Sequence, residues 1–456
     1  MKESSSHRGM LWVVAAGFFM QSLDATIVNT ALPAMAESLH EAPLAMRPVI
    51  VAYSLAMAML TPASGWLADR FGTRRVYFTS ILIFVLGSLF CAVAANLPQL
   101  VIARVVQGVG GSMLLPIGRL AVLRAVRGEE YIAALALISV AGQVGPLIGP
   151  MTGGWLVQAL NWHWIFLINL PIGIVGLIAV RRYLPPEPVA STPSFDFVGF
   201  TLLSTCMVAF SLGMEGTEGP GGAVYTAGLM TLSVVTVMVY IAHARHRPRA
   251  LFRLGLFRDA TFSLGLVGNL VSRIGSSGVG FLLPLLLQLQ LGYEPFYAGM
   301  MLFPAAAAAL ITKRWVAPMV RRYGYETFLS VNTIVVGVSI MSFALIAPGW
   351  PLALQIAQLA IFGGANSMQF AAMNSVTLKG LSVEDAGSGN SLFSLAQMLA
   401  LSLGVSLSGG LVGLFSHGVH ADAWGFRWTF LCVGAVTLLS MPIFKRMEVD
   451  TLRSNA

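Results

Sequence analysis

The chain has 456 residues, of which 56% are hydrophobic and only 10% are charged. A soluble protein would carry about 25% charged residues, so the composition excludes an ordinary soluble globular protein. The formal net charge is +8, and the 3 cysteines stand singly within apolar runs, which indicates neither disulfide pairs nor metal-ligand spacing. The composition therefore predicts an all-α polytopic membrane protein.

Hydropathy predicts fourteen membrane-spanning helices of about 20 residues each. In chain order they cover residues 10–31, 47–68, 77–95, 98–121, 132–157, 162–180, 197–214, 223–243, 262–289, 297–316, 327–347, 351–374, 387–414 and 424–444. Most of the 27 Lys and Arg residues fall in the loops of one side, whereas Arg47 and Arg427 stand among acidic residues on the other. By the positive-inside rule, both termini are expected in the cytoplasm.

Short motifs recur in the second half of the chain, which indicates two copies of one six-helix unit. Arg70-Phe71-Gly72 recurs as Arg322-Tyr323-Gly324, and Gly111-Ser112-Met113 recurs as Asn366-Ser367-Met368. Two parallel copies are typical of transporters whose site lies at the interface of the halves. We therefore predict an N-terminal six-helix bundle (1–182), two inserted helices (183–243), a basic amphipathic cytoplasmic linker (244–261) and a C-terminal six-helix bundle (262–456).

The first span contains an acidic residue, Asp24, although an aspartate at the centre of a spanning helix costs roughly 2.5–3.5 kcal/mol. At 1.5 Å per residue, Asp24 lies roughly 21 Å above the cytoplasmic face and Arg104 roughly 9 Å below the outer face of a core about 30 Å thick. The two residues are therefore at similar depth. We predict that they pair directly, through water or through Gln107, and that they serve proton coupling. The alternative is a purely structural ion pair.

The loop after span 2 carries glycines and charges at specific spacing, namely Gly65, Asp69, Arg70, Gly72, Arg74 and Arg75. The glycines permit a tight turn and close helix contact. Asp69 could sit at a helix N-terminus or meet an arginine, and thereby latch the two halves. The alternative is a solvated turn whose arginines only set the topology. This loop resembles the signature cytoplasmic loop of the major facilitator superfamily.

Span 5 contains a second motif, made of Gly145, Pro146, Gly149, Pro150, Gly153 and Gly154. It resembles the antiporter motif of the same superfamily. Three of its glycines lie four residues apart on one helix face, which lets another helix approach closely. The two prolines leave carbonyl groups unpaired and can kink the helix. The alternative is a packing surface with no bearing on the direction of transport.

Two further stretches, Asp24 to Pro33 and Trp162 to Gly173, resemble the fourteen-span drug:proton antiporter family of the EmrB/QacA type. The resemblance implies a major facilitator fold, two six-helix bundles plus two inserted helices, in a bacterial inner membrane. It also implies multidrug efflux: export of small organic molecules by alternating access, with protons as the coupling ion and no enzyme activity. No other cofactor is expected. The expected partners are a small-molecule substrate, protons and the lipid bilayer, with no nucleic acid, and the chain is expected to work as a monomer.

ATP-driven transport is not supported, because the sequence contains no GxxxxGK[ST] loop. No metal site is predicted either, since His417, His420 and Asp422 in one loop are weak evidence for one. Arg245 to Asp259 combines basic and apolar residues and predicts an amphipathic helix at the membrane surface.

Arg273, near the middle of span 9, is a second charge within the membrane, and no acid lies inside any span of the second half. It could reach across to Asp24, bind an anionic substrate, or bond to backbone carbonyls. Anion binding would make the chain a dedicated exporter of an anionic metabolite such as a carboxylate. The predicted substrate cavity consists of Arg273, Gln107, Asn29, Gln143, Asn269 and Gln288, although such amides can equally serve helix packing.

Overall fold

A computed structural model describes residues 2–125, 129–185, 195–215, 222–247, 250–252, 254–379, 381, 383–416 and 422–447. Every regular element in these ranges is helical. This follows from the apolar composition, because a chain in hydrocarbon must satisfy its backbone N–H and C=O groups internally, and a helix does so within one segment.

The α-helices have the following bounds. They are α1 (Lys2–Ser38), α2 (Arg47–Leu60), α3 (Ser64–Phe71), α4 (Thr73–Ala92), α5 (Leu97–Ala125), α6 (Glu129–Ala159), α7 (Trp164–Leu167), α8 (Asn169–Tyr183), α9 (Phe197–Glu215), α10 (Gly222–Arg245), α11 (Ala260–Leu285), α12 (Pro295–Met301), α13 (Phe303–Ser342), α14 (Leu352–Lys379), α15 (Val383–Phe415), α16 (Ala423–Leu438) and α17 (Met441–Lys445). Short 3-10 helices at Pro43–Met46 and Thr61–Ala63 flank α2, and a π-helical turn, Leu286–Gln290, follows α11.

Eleven helical stretches in the described part of the chain are long and apolar enough to cross a membrane. One of them, Pro295–Leu345, has 51 residues. At 1.5 Å per residue it would measure roughly 77 Å, more than twice a core of about 30 Å, so it accounts for two predicted spans. The chain is therefore a multi-pass membrane protein, and the count of fourteen spans remains a prediction.

The two predicted copies of the repeat share a break in the backbone. Gly72, between α3 and α4, has φ 84° and ψ 141°, and Gly324, within α13, has φ 77° and ψ 163°. Glycine adopts a positive φ at no steric cost, whereas a side chain would strain it. The arginine–aromatic–glycine motif that recurs in the sequence thus ends a helix in the same way in both copies.

The chain divides into two compact units. Unit 1 consists of Met1–Phe195 together with Tyr293–Phe303, and unit 2 consists of Asp196–Gly292 together with Pro304–Ala456. The inserted helices α9 and α10 thus belong to unit 2, where α9 packs against α15. The short helix α12 belongs to unit 1, where it packs against α6.

A buried carboxylate, Asp196, ties the start of α9 to the end of α10 and to the linker that follows. It accepts hydrogen bonds from the backbone N–H groups of Gly199 and Leu251, both at 3.0 Å, and lies 2.8 Å from Nε2 of His243. Burial raises the pKa of Asp196, but these partners together outweigh burial and leave the pKa below its ordinary value.

The amphipathic helix predicted from Arg245 to Asp259 does not form as a continuous helix in the described residues. The N–H of Leu251 bonds to Asp196, and the N–H of Phe252 bonds to the hydroxyl of Tyr240 at 2.8 Å. These donors are therefore not available to carbonyls four residues back, which an α-helix requires. A single 3-10 helix, Leu254–Arg258, is the regular element of the described linker residues.

Candidate functional site

Two glycines bring the backbones of α2, α4 and α5 close together in unit 1. A Cβ atom on Gly87 of α4 would collide with the backbone of Gln107 on α5. A Cβ atom on Gly108 of α5 would collide with the carbonyl of Tyr53 on α2. Small residues at such contacts let spanning helices pack backbone to backbone. Short polar side chains can therefore meet across the interior of the unit.

The centre of this interior is an ion pair between α1 and α5. Nη1 of Arg104 donates to Oδ2 of Asp24 at 2.7 Å, and the two side chains are 1% and 0% exposed. Arg104 is the largest fully buried side chain in the described residues. The similar depth of the two residues predicts this pair and the structure contains it, whereas its role in proton coupling stays a prediction.

Neutral amides hold the other carboxylate oxygen of Asp24. Oδ1 accepts hydrogen bonds from Nε2 of Gln107 at 2.7 Å and from Nδ2 of Asn169 at 3.0 Å. Both amides also donate to Oγ of Ser88, at 2.7 and 3.3 Å. All of these side chains are fully buried. The two oxygens of Asp24 are therefore bound differently: Oδ2 by a cation, and Oδ1 by two neutral donors.

Arg104 has further contacts that do not involve Asp24. Its Nη1 also donates to Oε1 of Gln107 at 2.6 Å, and its Nε donates to the carbonyl of Val49 at 3.1 Å. Its guanidinium carbon lies 4.1 Å from the ring centroid of Tyr53 and 5.8 Å from that of Phe166. The site therefore presents one carboxylate that can take up a proton and one cation with several neutral partners.

Asn169, Ser88 and Tyr53 were not among the predicted site residues. Asn169 stands in the Trp162 to Gly173 motif as a polar residue within an apolar run, and that is a signal that could have found it. It is the first residue of α8, directly after the break that separates α7 from α8. A lone serine or tyrosine in a span carries no comparable signal.

The predicted antiporter motif on α6 contacts α1 along one face. Cβ atoms on Gly145 and Gly149 would collide with Ser22 and Thr26 respectively, and one on Gly153 would collide with the carbonyl of Ile27. The α6 helix continues through Pro146 and Pro150. Thr30 of α1 donates to the carbonyl of Pro150 at 3.2 Å. The motif thus places α1, which carries Asp24, directly against α6.

A second face of α6 contacts α12. A Cβ atom on Gly154 would collide with the carbonyl of Pro295, and one on Gly299 would collide with the carbonyl of Pro150. Beyond these contacts, Nε2 of Gln158 donates to Oε2 of Glu294 at 2.6 Å. Gly154 thus has a role separate from that of the other three glycines of the motif.

The predicted latch loop is largely helical. Gly65 lies inside α3, so the expectation of a turn at Gly65 is wrong, and a Cβ atom there would meet no described residue within 4 Å. Asp69 accepts a hydrogen bond from Nη2 of Arg124 at 2.6 Å, and both side chains are partly exposed. This bond joins α3 and α5 within unit 1, so it does not itself connect the two units.

The arginines of the same loop lie near the surface. Nη2 of Arg74 donates to the carbonyl of Arg181 at 2.6 Å. Arg70 and Arg75 are exposed. A latch between the two halves therefore stays a prediction.

The predicted cavity residues are divided between the units. Gln107 belongs to the Asp24 site, and Asn29 and Gln143 are half-buried on α1 and α6. Asn269 and Gln288 belong to unit 2, Asn269 in α11 and Gln288 in the π-helical turn. That these residues line one cavity remains a prediction.

Arg273 also belongs to unit 2, on α11. Its guanidinium carbon lies 4.2 Å from the ring centroid of Phe370, and its buried Nε has no hydrogen-bond partner in the described residues. Both side-chain amide atoms of Asn269, one turn earlier, are buried and likewise without a partner there. Both oxygens of Asp24 have partners within unit 1, and a bond from Arg273 to Asp24 stays a prediction.

His163 lies in the stretch from Trp162 to Gly173. His163 stacks on Trp162 with centroids 3.8 Å apart, and burial lowers its pKa. His417 and His420 lie outside the described residues. Within the described part of the chain, no group of three His, Cys, Asp or Glu residues could hold a metal ion.

The sequence matches the family description Major Facilitator Superfamily over residues 14–405. The chain belongs to the Major Facilitator Superfamily. Among its relatives are proteins of Citrobacter koseri, 46% identical, and of Escherichia fergusonii and Escherichia coli, each 47% identical. Each alignment covers 98% of this chain and 96% of the relative, and each relative carries the name "Putative multidrug resistance protein MdtD".

Solved structures share the superfamily fold at low sequence identity. The nucleoside transporter NupG is 13% identical with a TM-score of 0.68, over 97% of this chain and 98% of NupG. The human organic anion transporter MFSD10 is 14% identical with a TM-score of 0.63, over 96% and 99%. Membership of the superfamily makes the chain a membrane transporter and not an enzyme.

Proposed function

We propose that the chain is a proton-coupled antiporter that exports small organic molecules across the bacterial inner membrane by alternating access. The observation that supports this most directly is the fully buried pair of Asp24 and Arg104. A buried carboxylate is expensive in a spanning helix, and such residues commonly mark proton relays and ion pathways. The names of the bacterial relatives support drugs as the substrate class.

Protonation of Asp24 would change the energy of the site substantially. Removing one partner of a buried ion pair costs about 3–5 kcal/mol, because the other charge is left uncompensated. Reversing a two-state equilibrium from 1:99 to 99:1 takes about 5.5 kcal/mol. Protonation therefore supplies much of the energy needed to shift the population between two orientations. Substrate binding favours the deprotonated state, so that one or more protons enter as substrate leaves.

The test is transport by purified protein in proteoliposomes under an imposed pH gradient. We expect wild-type protein to move lipophilic cations against their gradient, and Asp24→Asn to abolish this movement while substrate still binds. Asparagine cannot carry the proton, yet it is nearly isosteric with aspartate. Glu37→Gln is the matched control, because Glu37 is an exposed carboxylate on the same helix; it should transport as the wild type does. Full proton-driven transport by Asp24→Asn would refute the proposal.

A second candidate function is export of an anionic metabolite such as a carboxylate. The supporting observation is Arg273, whose Nε is unpartnered in the described residues and whose guanidinium is stacked on Phe370. Asn269, four residues earlier, would add amide donors on the same helix face. Stacking leaves the edges of a guanidinium free for a carboxylate, which it binds in a bidentate manner.

Arg273→Gln separates the two candidates. We expect this variant to lose carboxylate export, with lipophilic-cation export unchanged, if Arg273 is an anion site. The matched control is Arg314→Gln, an exposed arginine of the same unit whose guanidinium carbon lies 5.0 Å from the ring centroid of Trp315. Carboxylate uptake into inverted vesicles is the measurement. Unchanged carboxylate transport by Arg273→Gln, or absence of it in the wild type, would remove the second candidate.

A further inference from the structure

Arg104 has two sets of partners that respond differently to a proton on Asp24. One set is Asp24 alone, through its Oδ2 atom. The other set is neutral: the carbonyl of Val49, Oε1 of Gln107 and the ring face of Tyr53. A proton on Oδ2 would break the first set and leave the second in place. Oδ1 would meanwhile keep its bonds from Gln107 and Asn169, so Oδ2 is the oxygen on which a proton disturbs fewest hydrogen bonds.

We propose that Tyr53 is a positioning residue for proton coupling, because its ring holds the Arg104 cation when Asp24 is protonated. This inference rests on the proposed function. A guanidinium in an apolar interior needs a compensating partner. A cation over an aromatic face gains most when both are desolvated, and the ring of Tyr53 lies 4.1 Å from the guanidinium of a side chain that is 1% exposed. Tyr53 therefore makes the protonated state of the pair accessible.

The aromatic ring of Tyr53, and not its hydroxyl, stabilises the Arg104 cation. Tyr53 is 3% exposed, and its hydroxyl has no hydrogen-bond partner in the described residues. Phenylalanine would therefore preserve the contact with Arg104, whereas leucine would remove it. The second aromatic ring near Arg104, that of Phe166, is more distant at 5.8 Å and gives weaker support.

Few other groups around the pair can titrate. Among the described residues, the charged or titratable groups near Arg104 are Asp24 of α1, Tyr53 of α2 and Cys91 of α4. Helices α7 and α8 face the site with Phe166 and Asn169, which do not titrate. A shift in the proton affinity of the site on changing Tyr53 therefore reports on the pair itself.

The test is an infrared titration of the purified protein in detergent, which follows the carbonyl band of protonated Asp24. The band of Asp24 is identified as the carbonyl band that is absent from the spectrum of the Asp24→Asn variant. We expect Tyr53→Leu to move the midpoint of the titration at least about one pH unit to more acidic values, because the ring compensates the charge of Arg104 more when Asp24 is neutral than when Asp24 is charged, and its loss therefore destabilises the protonated state more. Tyr53→Phe should keep the wild-type midpoint. If Tyr53→Leu does not fold, Tyr53→Met removes the ring at similar volume and takes its place.

The outcomes separate this inference from the proposed function. Coincident midpoints for wild type, Tyr53→Phe and Tyr53→Leu would overturn the role of Tyr53 while leaving proton coupling through Asp24 intact. Equal shifts in Tyr53→Phe and Tyr53→Leu would also overturn it, since they would assign the effect to the hydroxyl. Absence of any Asp24 titration in the wild type, together with no proton-driven transport, would overturn the proposed function as well.

Discussion

At the scale of single residues, the chemistry of the site follows from the hydrogen-bond partners of each side-chain atom. Asp24 and Arg104 could be predicted to meet, because helix rise converts sequence position into depth and an acid in a span needs a partner. Asn169 and Ser88 could not, because depth says nothing about which face of a helix a polar side chain occupies. The bond of Asn169 to Asp24 and the bonds of Asn169 and Gln107 to Ser88 depend on how closely the helices approach, and glycines such as Gly87 and Gly108 set that distance.

The prediction of a turn at Gly65 was wrong at the same scale. Gly72 does have a positive φ and separates two helices, whereas Gly65 lies within α3, where a Cβ atom would meet no described residue within 4 Å. Both glycines look alike in the motif. The distinction is that a helix break needs only one residue with a positive φ, so the glycine seven positions earlier is not required for the break.

At the scale of the element, α6 is the helix against which α1 is held. The carbonyl of Ile27, three residues from Asp24, lies where a side chain on Gly153 would begin. The geometry of the Asp24 site thus depends on the absence of a side chain on another helix. The same helix contacts α12 through Gly154, so the motif serves two contacts.

Gly153→Ala is therefore expected to destabilise the protein. The added methyl group would overlap a backbone carbonyl, which cannot rotate away, and overpacking of this kind costs about 1–3 kcal/mol. The measurement is the thermal unfolding of purified protein in detergent, where we expect the melting temperature to fall by several degrees. Gly228→Ala is the matched control, because a Cβ atom at Gly228 on α10 meets no described residue within 4 Å. Equal melting temperatures for Gly153→Ala and the wild type would contradict this description of the contact.

Secondary-structure elements could be predicted where one local property of the sequence determines them. Apolar runs become helices because the bilayer allows little else, and the break at Gly324 follows from its match with Gly72. The linker after α10 was predicted incorrectly, because amphipathic periodicity ignores distant side chains. Asp196 and Tyr240 accept hydrogen bonds from the N–H groups of Leu251 and Phe252, so these groups are not available for helical hydrogen bonds. The sequence pattern within residues 245–259 does not indicate these two partners.

For the molecule as a whole, the charges inside the membrane are distributed unequally. Unit 1 contains the Asp24–Arg104 pair, whereas Arg273 of unit 2 stacks on Phe370. The two units therefore differ in the charged groups that they contain at these two places. In the proposed antiporter, proton uptake and release would belong to unit 1, and the orientation of the two units would respond to the charge of one carboxyl group.

The most direct measurement is the release of protons when substrate binds. Purified protein in weakly buffered detergent solution, at a pH where Asp24 is protonated, is mixed with a transported lipophilic cation, and the solution pH is recorded. We predict about one proton released per wild-type molecule, the same release from Glu37→Gln, and none from Asp24→Asn although the cation still binds. Equal proton release from Asp24→Asn and the wild type would contradict the assignment of proton coupling to Asp24.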